Sequence, residues 1–305
     1  MADPVTPWQL DGGAQPDRFH DGGTDTEAPA PDSPPRVLLE RVMSGSLERR
    51  TERFRMLRRL AYRDREYGDL LVPADLASFE SDLASVPALF TWLVPKTGRH
   101  LPPALLHDGL IHGPGEPASY VSVEGRILDR VAADRVFRTA MRDTDTGPVR
   151  SWLIWSAVTL GTIWHGSTAW SAAQHLRHRV VAFGSLLIIA ALGVLATLDL
   201  FDVVDLVPWM GDHTWPVELL GGVAGAIVVP LLLGLAWGRF AVAGMVCGIA
   251  LAVLLHVSVV LALITLGYQA AEWVARRRPV AIAMTAVLVV GASVVLTVLF
   301  VGPYR

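Results

Sequence analysis

Hydrophobic and polar positions follow two different patterns in this chain, and the change comes at about residue 180. Val180 to Leu198, Leu219 to Trp237, Phe240 to Tyr268 and Val280 to Val301 are almost continuously apolar. A helix needs roughly 20 such residues to cross the hydrocarbon of a bilayer, so each run is long enough to be a span. Earlier in the chain the apolar positions are interleaved with charge. Phe54, Met56, Leu60 and Tyr62 stand against Arg55, Arg59 and Arg63, the period of a half-buried strand, and Tyr67-Gly68-Asp69 predicts a turn into a second strand at Leu70 to Val72. Pro102-Pro103 opens a predicted helix that carries His107 and Asp108 and stops by Gly113. Pro117 to Val123 reads as a loop, Glu124 to Arg142 as a longer amphipathic helix, and Ser151 to Trp170 as a closing helix. Within Arg36 to Arg53, the spacing of Val37, Leu38, Arg41, Val42 and Leu47 predicts one short helix. Residues 1–35 are rich in Pro, Gly, Asp and Ala without apolar periodicity, and predict a disordered tail. The expected architecture is a small α+β domain over 36–170, a short β-hairpin plus helices, then a basic joint at 171–179. An all-α transmembrane domain of four helices follows over 180–305.

Composition agrees with a membrane protein: 52% of the 305 residues are hydrophobic and the net charge is −3. Only five of the 26 basic and six of the 29 acidic residues lie from Val180 onward. The N-terminal part is therefore highly charged yet balanced, without the basic excess that a phosphate backbone requires, which argues against nucleic acid as a partner. The lipid bilayer is the expected partner, and no protein partner is specified. Cys247 is the single cysteine and lies in an apolar run, so neither an internal disulfide nor a cysteine-rich metal site can form. Arg177 and Arg179 precede the first run, Arg239 separates the second from the third, and Asp199 to Glu218 holds no Lys or Arg. By the positive-inside rule these place the N-terminal domain in the cytoplasm. Arg276, Arg277 and Arg278 would then lie outside, against the rule. The opening MADPVTPWQLDGG has neither the basic start nor the apolar core of a secretory signal, which decides for a multi-pass cell-membrane protein with a cytoplasmic N-terminal domain.

Candidate chemistry is confined to one stretch. Asp82, His107, Asp108, Arg130 and Asp134 sit among Leu, Val, Phe and Ala, and burying such groups costs several kcal/mol unless each is partnered. Their placement predicts that they converge. Neighbours on a helix point about 100° apart, so His107 and Asp108 serve different tasks. A hydrogen bond from His107 to Asp134 would leave the second ring nitrogen to take a proton from water. Asp108, together with Asp82, is a candidate ligand for a hard cation such as Ca²⁺. The same residues also suit a purely structural network in which Arg130 pairs with Asp134 one helical turn on. Two classes of function follow: a His/Asp hydrolase acting on lipid or another ester, and a non-catalytic scaffold that docks a partner to the membrane.

The motifs Ser81-Asp82-Leu83-Ala84-Ser85-Val86-Pro87, then His107-Asp108, then Arg130 with Ala133-Asp134, Phe137, Ala140 and Met141, resemble the DUF1353 family in wording and order. That family consists of uncharacterised domains common in phages and bacteria, and the resemblance runs from about Phe54 to about Trp170. The family's aromatic after the His-Asp pair is replaced here by Gly109, Leu110 and Ile111. A His-Asp dipeptide on one helix facing an Asp on the next is also similar to the phospholipase A2 helix pair. That resemblance implies His107 as base, Asp134 as its orienting carboxylate and Asp108 as calcium ligand; the motif spacing, separately, places Asp82 and Arg130 nearby in support. The disulfides and glycine-rich calcium loop of that family are missing from this sequence.

Overall fold

A computed structural model gives the architecture; it describes residues 15–44, 51–83, 93–95, 97–112, 117–210 and 213–277. The chain divides into two compact units, Met1–Val253 and Leu254–Arg305. In the first unit the expected hairpin is present as β4 (Leu60–Asp64) and β5 (Gly68–Val72), antiparallel with Leu60 opposite Val72. The half-buried alternation is interrupted: β3 (Thr51–Met56) belongs to a different sheet, paired with β2 (Leu39–Ser44) and β6 (Glu80–Ser81). The other sheet has the order β1-β4-β5-β7, with β1 at Phe19–Asp21 and β7 at Val121–Ser122.

Three expectations are corrected here. Residues 15–35 are not a disordered tail, because β1 completes the sheet beside β4, and Phe19, His20 and Asp21 are all buried. The Phe19 and Tyr62 rings meet at 4.6 Å, and Arg58 Nε donates to Asp21 at 2.5 Å. Burial opposes the Asp21 charge, yet Arg58 and the Gly23 amide hold its carboxyl below the ordinary value. Residues 1–14 lie outside the described residues. The helix expected within Arg36 to Arg53 is instead strand β2, whose pairing with β3 outweighs a weak helical spacing. Within the expected loop at 117–123, Val121–Ser122 forms a short edge strand on β5.

Helix α1 (Leu101–Leu110) begins at its prolines, as the sequence predicts, and packs on β4 and β5. Its approach to β5 depends on Gly109, where a Cβ would come within 2.6 Å of the Val72 side chain. Helix α2 (Arg130–Asp143) starts later than Glu124 because the Asp129 side chain caps it, accepting from the Ala132 amide at 2.8 Å. Leu105, Leu106 and Leu110 of α1 and Ala133, Val136 and Ala140 of α2 close the core over Met56, Leu60, Tyr62 and Leu70. Phe137 and Met141, on α2, extend it toward Ile154, Trp155 and Val158 of α3 (Pro148–His165).

Helices α4 (Ala172–Leu200) and α5 (Trp215–Leu235) follow, then α6 (Ala241–Arg277), whose residues up to Val253 belong to the first unit. All three are long and apolar enough to cross a membrane. The expected basic joint at 171–179 is not a separate linker. It is the first turns of α4, started by a capping box in which Ser171 and Gln174 satisfy each other's backbone amides. The fourth expected span, 280–301, lies outside the described residues, so the described helical part carries three candidate spans rather than a complete four-helix domain. Packing among them is close: a Cβ on Gly248 would fall 2.9 Å from both Ile189 and Pro230. Apolar side chains face outward, with Leu187 71% exposed, as a lipid-facing surface requires. The buried acids serve local turns. Asp199 accepts from the Leu206 and Val207 amides, both at 2.9 Å, and Glu218 accepts from the His213 amide at 3.0 Å.

Candidate functional site

Ser81, Asp108, His107 and Asp134 come together in two linked pairs where α1, α2 and the end of β6 adjoin. After β6 the chain turns sharply. Ser81 Oγ accepts from the Leu83 amide at 2.8 Å, and Leu83, buried, takes a left-handed φ of 72°. The same hydroxyl donates to Asp108 Oδ2 at 2.5 Å, joining the first motif to the second. His107 Nε2 lies 2.9 Å from Asp134 Oδ1, joining the second motif to the third, and the His107 ring stacks on Phe137 at a centroid distance of 4.8 Å. Gly109 determines how closely α1 approaches the sheet, and therefore where His107 and Asp108 are presented.

His107 and Asp134 are enclosed, at 7% and 3% exposure, whereas Asp108 is half-buried. Among the described residues, His107 Nδ1 has no hydrogen-bond partner. The pair therefore has a fixed geometry: the Nε2 side is committed to a carboxylate, and the Nδ1 side is the one that can exchange a proton. Asp108 differs electrostatically. Desolvation by the surrounding protein raises its carboxyl to about 6, and the nearby Asp82 charge adds to the rise, against the Ser81 hydrogen bond and the charges of His107 and Arg53.

Asp82 is half-buried and close enough to act electrostatically on Asp108. Arg130 opens α2, but among the described residues no ion pair joins it to Asp134; the expected pairing gives way because Asp134 is taken by His107. The fit to Ca²⁺ is poor among the described residues. Asp108 and Asp82 supply two carboxylates, one of them raised in pKa and engaged by Ser81, and no group of three or more His, Cys, Asp or Glu could hold an ion. Calcium takes six to eight oxygens.

One supporting group carries no motif signal. Asp143, fully buried at the end of α2, accepts from Tyr62 Oη at 2.9 Å and from both terminal nitrogens of Arg65 at 2.8 and 2.9 Å. Burial, then the Asp143 charge, push the Tyr62 phenol upward. This network fastens the far end of α2 to β4, and so holds the helix that presents Asp134. An acidic residue closing an amphipathic helix was the available signal, but its partners lie far away in sequence.

Comparison with known families bears on this arrangement of motifs. Residues 54–158 match the family model described as Protein of unknown function (DUF1353). The DUF1353 segment begins inside β3 and ends inside α3, so it contains every member of the His107 cluster and excludes β1, β2 and helices α4 to α6. No curated protein and no solved structure matches the chain. The protein thus joins a DUF1353 segment to a helical part with three helices apolar enough to span a membrane.

Proposed function

We propose that the protein is a membrane-anchored hydrolase of lipid or other ester bonds, with His107 as general base and Asp134 as the carboxylate that orients it. The observation that supports this reading is the 2.9 Å contact between His107 Nε2 and Asp134 Oδ1, with no partner for Nδ1 among the described residues. In the reaction Nδ1 takes a proton from water as the hydroxide oxygen adds to the ester carbonyl, and the imidazolium, stabilised by Asp134, returns the proton to the departing alkoxide. Asp108, held by the Ser81 hydroxyl, lies on α1 beside His107. Arg177, Arg179 and Arg239 at one end of the helices, against the acidic 199–218 loop, favour a cytoplasmic DUF1353 segment.

A second reading, a non-catalytic membrane scaffold, is favoured by enclosure. His107 and Asp134 are both buried in the α1–α2 contact, with the His107 ring stacked on Phe137, as a structural tie would be. Hydrolysis of phospholipid and soluble ester substrates by the purified chain and by His107→Ala, with and without Ca²⁺, separates the two. The hydrolase reading expects activity that falls about 10²-fold or more in the variant; no activity in the parent on either substrate leaves the scaffold. Reporter fusions after Asp205 and after Arg278 test the orientation, and an internal position for the first loop would reverse it.

A further inference from the structure

The basic end of the transmembrane helices holds a cavity that neither motif nor hydrolase chemistry uses. Its volume is about 250 Å³, and it lies between the first turns of α4 and the turn linking α5 to α6. Gln174, Arg177, His178 and Arg239 form its polar wall, and Trp237 and Phe240 its apolar one. The walls are braced from within the same unit. Trp237 Nε1 donates to Ser185 Oγ at 2.8 Å, the His178 ring meets Phe240 at 5.3 Å and Trp170 at 4.8 Å, and the Arg239 guanidinium lies 5.3 Å from the Phe240 ring.

Two features identify a ligand. Among the described residues neither Arg177 nor Arg239 is ion-paired, although both border one cavity beside a histidine. Second, Trp164, Trp170 and Trp237 gather at this end, Arg179 lies 4.4 Å over Trp164, and the long apolar part of α4 starts at Val180, the pattern of a helix end at headgroup level. Tryptophan belts mark the membrane–water interface, and basic pockets between spans suit acidic headgroups. We infer that this cavity binds the phosphate of an anionic phospholipid, held by Arg177 and Arg239 while Trp237 and Phe240 cover the glycerol end. The guanidinium forks match phosphate oxygens, whereas the quaternary amine of a choline lipid cancels the headgroup charge and meets a like-charged wall. The inference rests on the membrane placement of α4 to α6 and is independent of His107.

The test uses the full chain in neutral detergent, titrated with short-chain phosphatidylglycerol, short-chain phosphatidylcholine and inorganic phosphate while tryptophan fluorescence is followed. The parent is expected to bind phosphatidylglycerol at least ~10-fold more tightly than phosphatidylcholine, equivalent to ~1.4 kcal/mol. R177Q/R239Q is expected to lose that preference, R177K/R239K to keep it at lower affinity, and R150Q, at an exposed arginine outside the cavity, to behave as the parent. Equal binding of the two lipids by the parent, or an undiminished preference in R177Q/R239Q, would overturn the site. Inorganic phosphate matching phosphatidylglycerol at the same concentration would overturn the lipid assignment in favour of a free anion.

Discussion

Polar groups are satisfied in different ways in the DUF1353 segment and in the apolar helices. In the segment the partners are far apart in sequence: Tyr62 and Arg65 reach Asp143, His107 reaches Asp134, and Ser81 reaches Asp108. In the helices most are near: Asp199 serves residues 206 and 207, Glu218 serves 213, and Thr197 returns to the Gly193 carbonyl. Lipid offers no water to a stray polar group, so a span favours self-sufficient turns, whereas an aqueous domain can assemble a network from distant pieces. Long-range networks make the segment specific and fragile. Local ones make the helices tolerant.

The sharpest way to break this contrast is Asp143→Ala. It strands Arg65 and the buried Tyr62 hydroxyl, and should lower the stability of the segment by about 3 kcal/mol, read as a shift in the urea midpoint of the full chain in micelles. A shift of a few tenths would mean that the network adds little. Gly109→Val comes next: its side chain collides with Val72, so α1 must lift from β5, at a cost of about 1–3 kcal/mol. Asp108→Asn should instead stabilise, with a characteristic pH dependence. A carboxyl raised to about 6 when folded holds its proton more tightly than when unfolded, so its contribution is complete below the unfolded value near 3.8 and is lost as pH rises through about 6. The variant should therefore gain roughly 2–4 °C in apparent melting temperature at pH 7.5 and little at pH 4. A gain equal at both pH values would contradict the raised carboxyl. Asp199→Asn marks the tolerant side: the amide oxygen still accepts from residues 206 and 207, and the loss should stay under about 1 kcal/mol in the same assay.

Legibility in the sequence follows the same division. The three long apolar helices could be read because apolar runs need no knowledge of partners, and α1 because two prolines mark its start. The β4–β5 hairpin was visible in alternation and a Tyr-Gly-Asp turn. Strand β1 was not: three residues, FHD, hold no period, and only pairing with β4 forty residues on gives them structure. Strand β2 carried a helical spacing that pairing overrode. In the site, the motifs named His107 and Asp134, which lie within hydrogen-bond distance, while Ser81 as the link to Asp108 and Asp143 as the anchor of α2 appear only once the chain is folded. The Arg130–Asp134 pair failed for a related reason, since local spacing lost to a histidine from another helix.

The most direct measurement of the proposed chemistry is steady-state hydrolysis by Asp134→Asn beside the parent, on a phospholipid and a soluble ester, with the fold of each checked by its urea midpoint. An asparagine keeps the size of the side chain but removes the charge that orients His107 and stabilises its imidazolium. The proposal predicts a fall in kcat of about 10²-fold or more with KM little changed. An active parent whose kcat is unaltered by Asp134→Asn would contradict the proposed base, and a parent inactive on both substrates would contradict the hydrolase altogether.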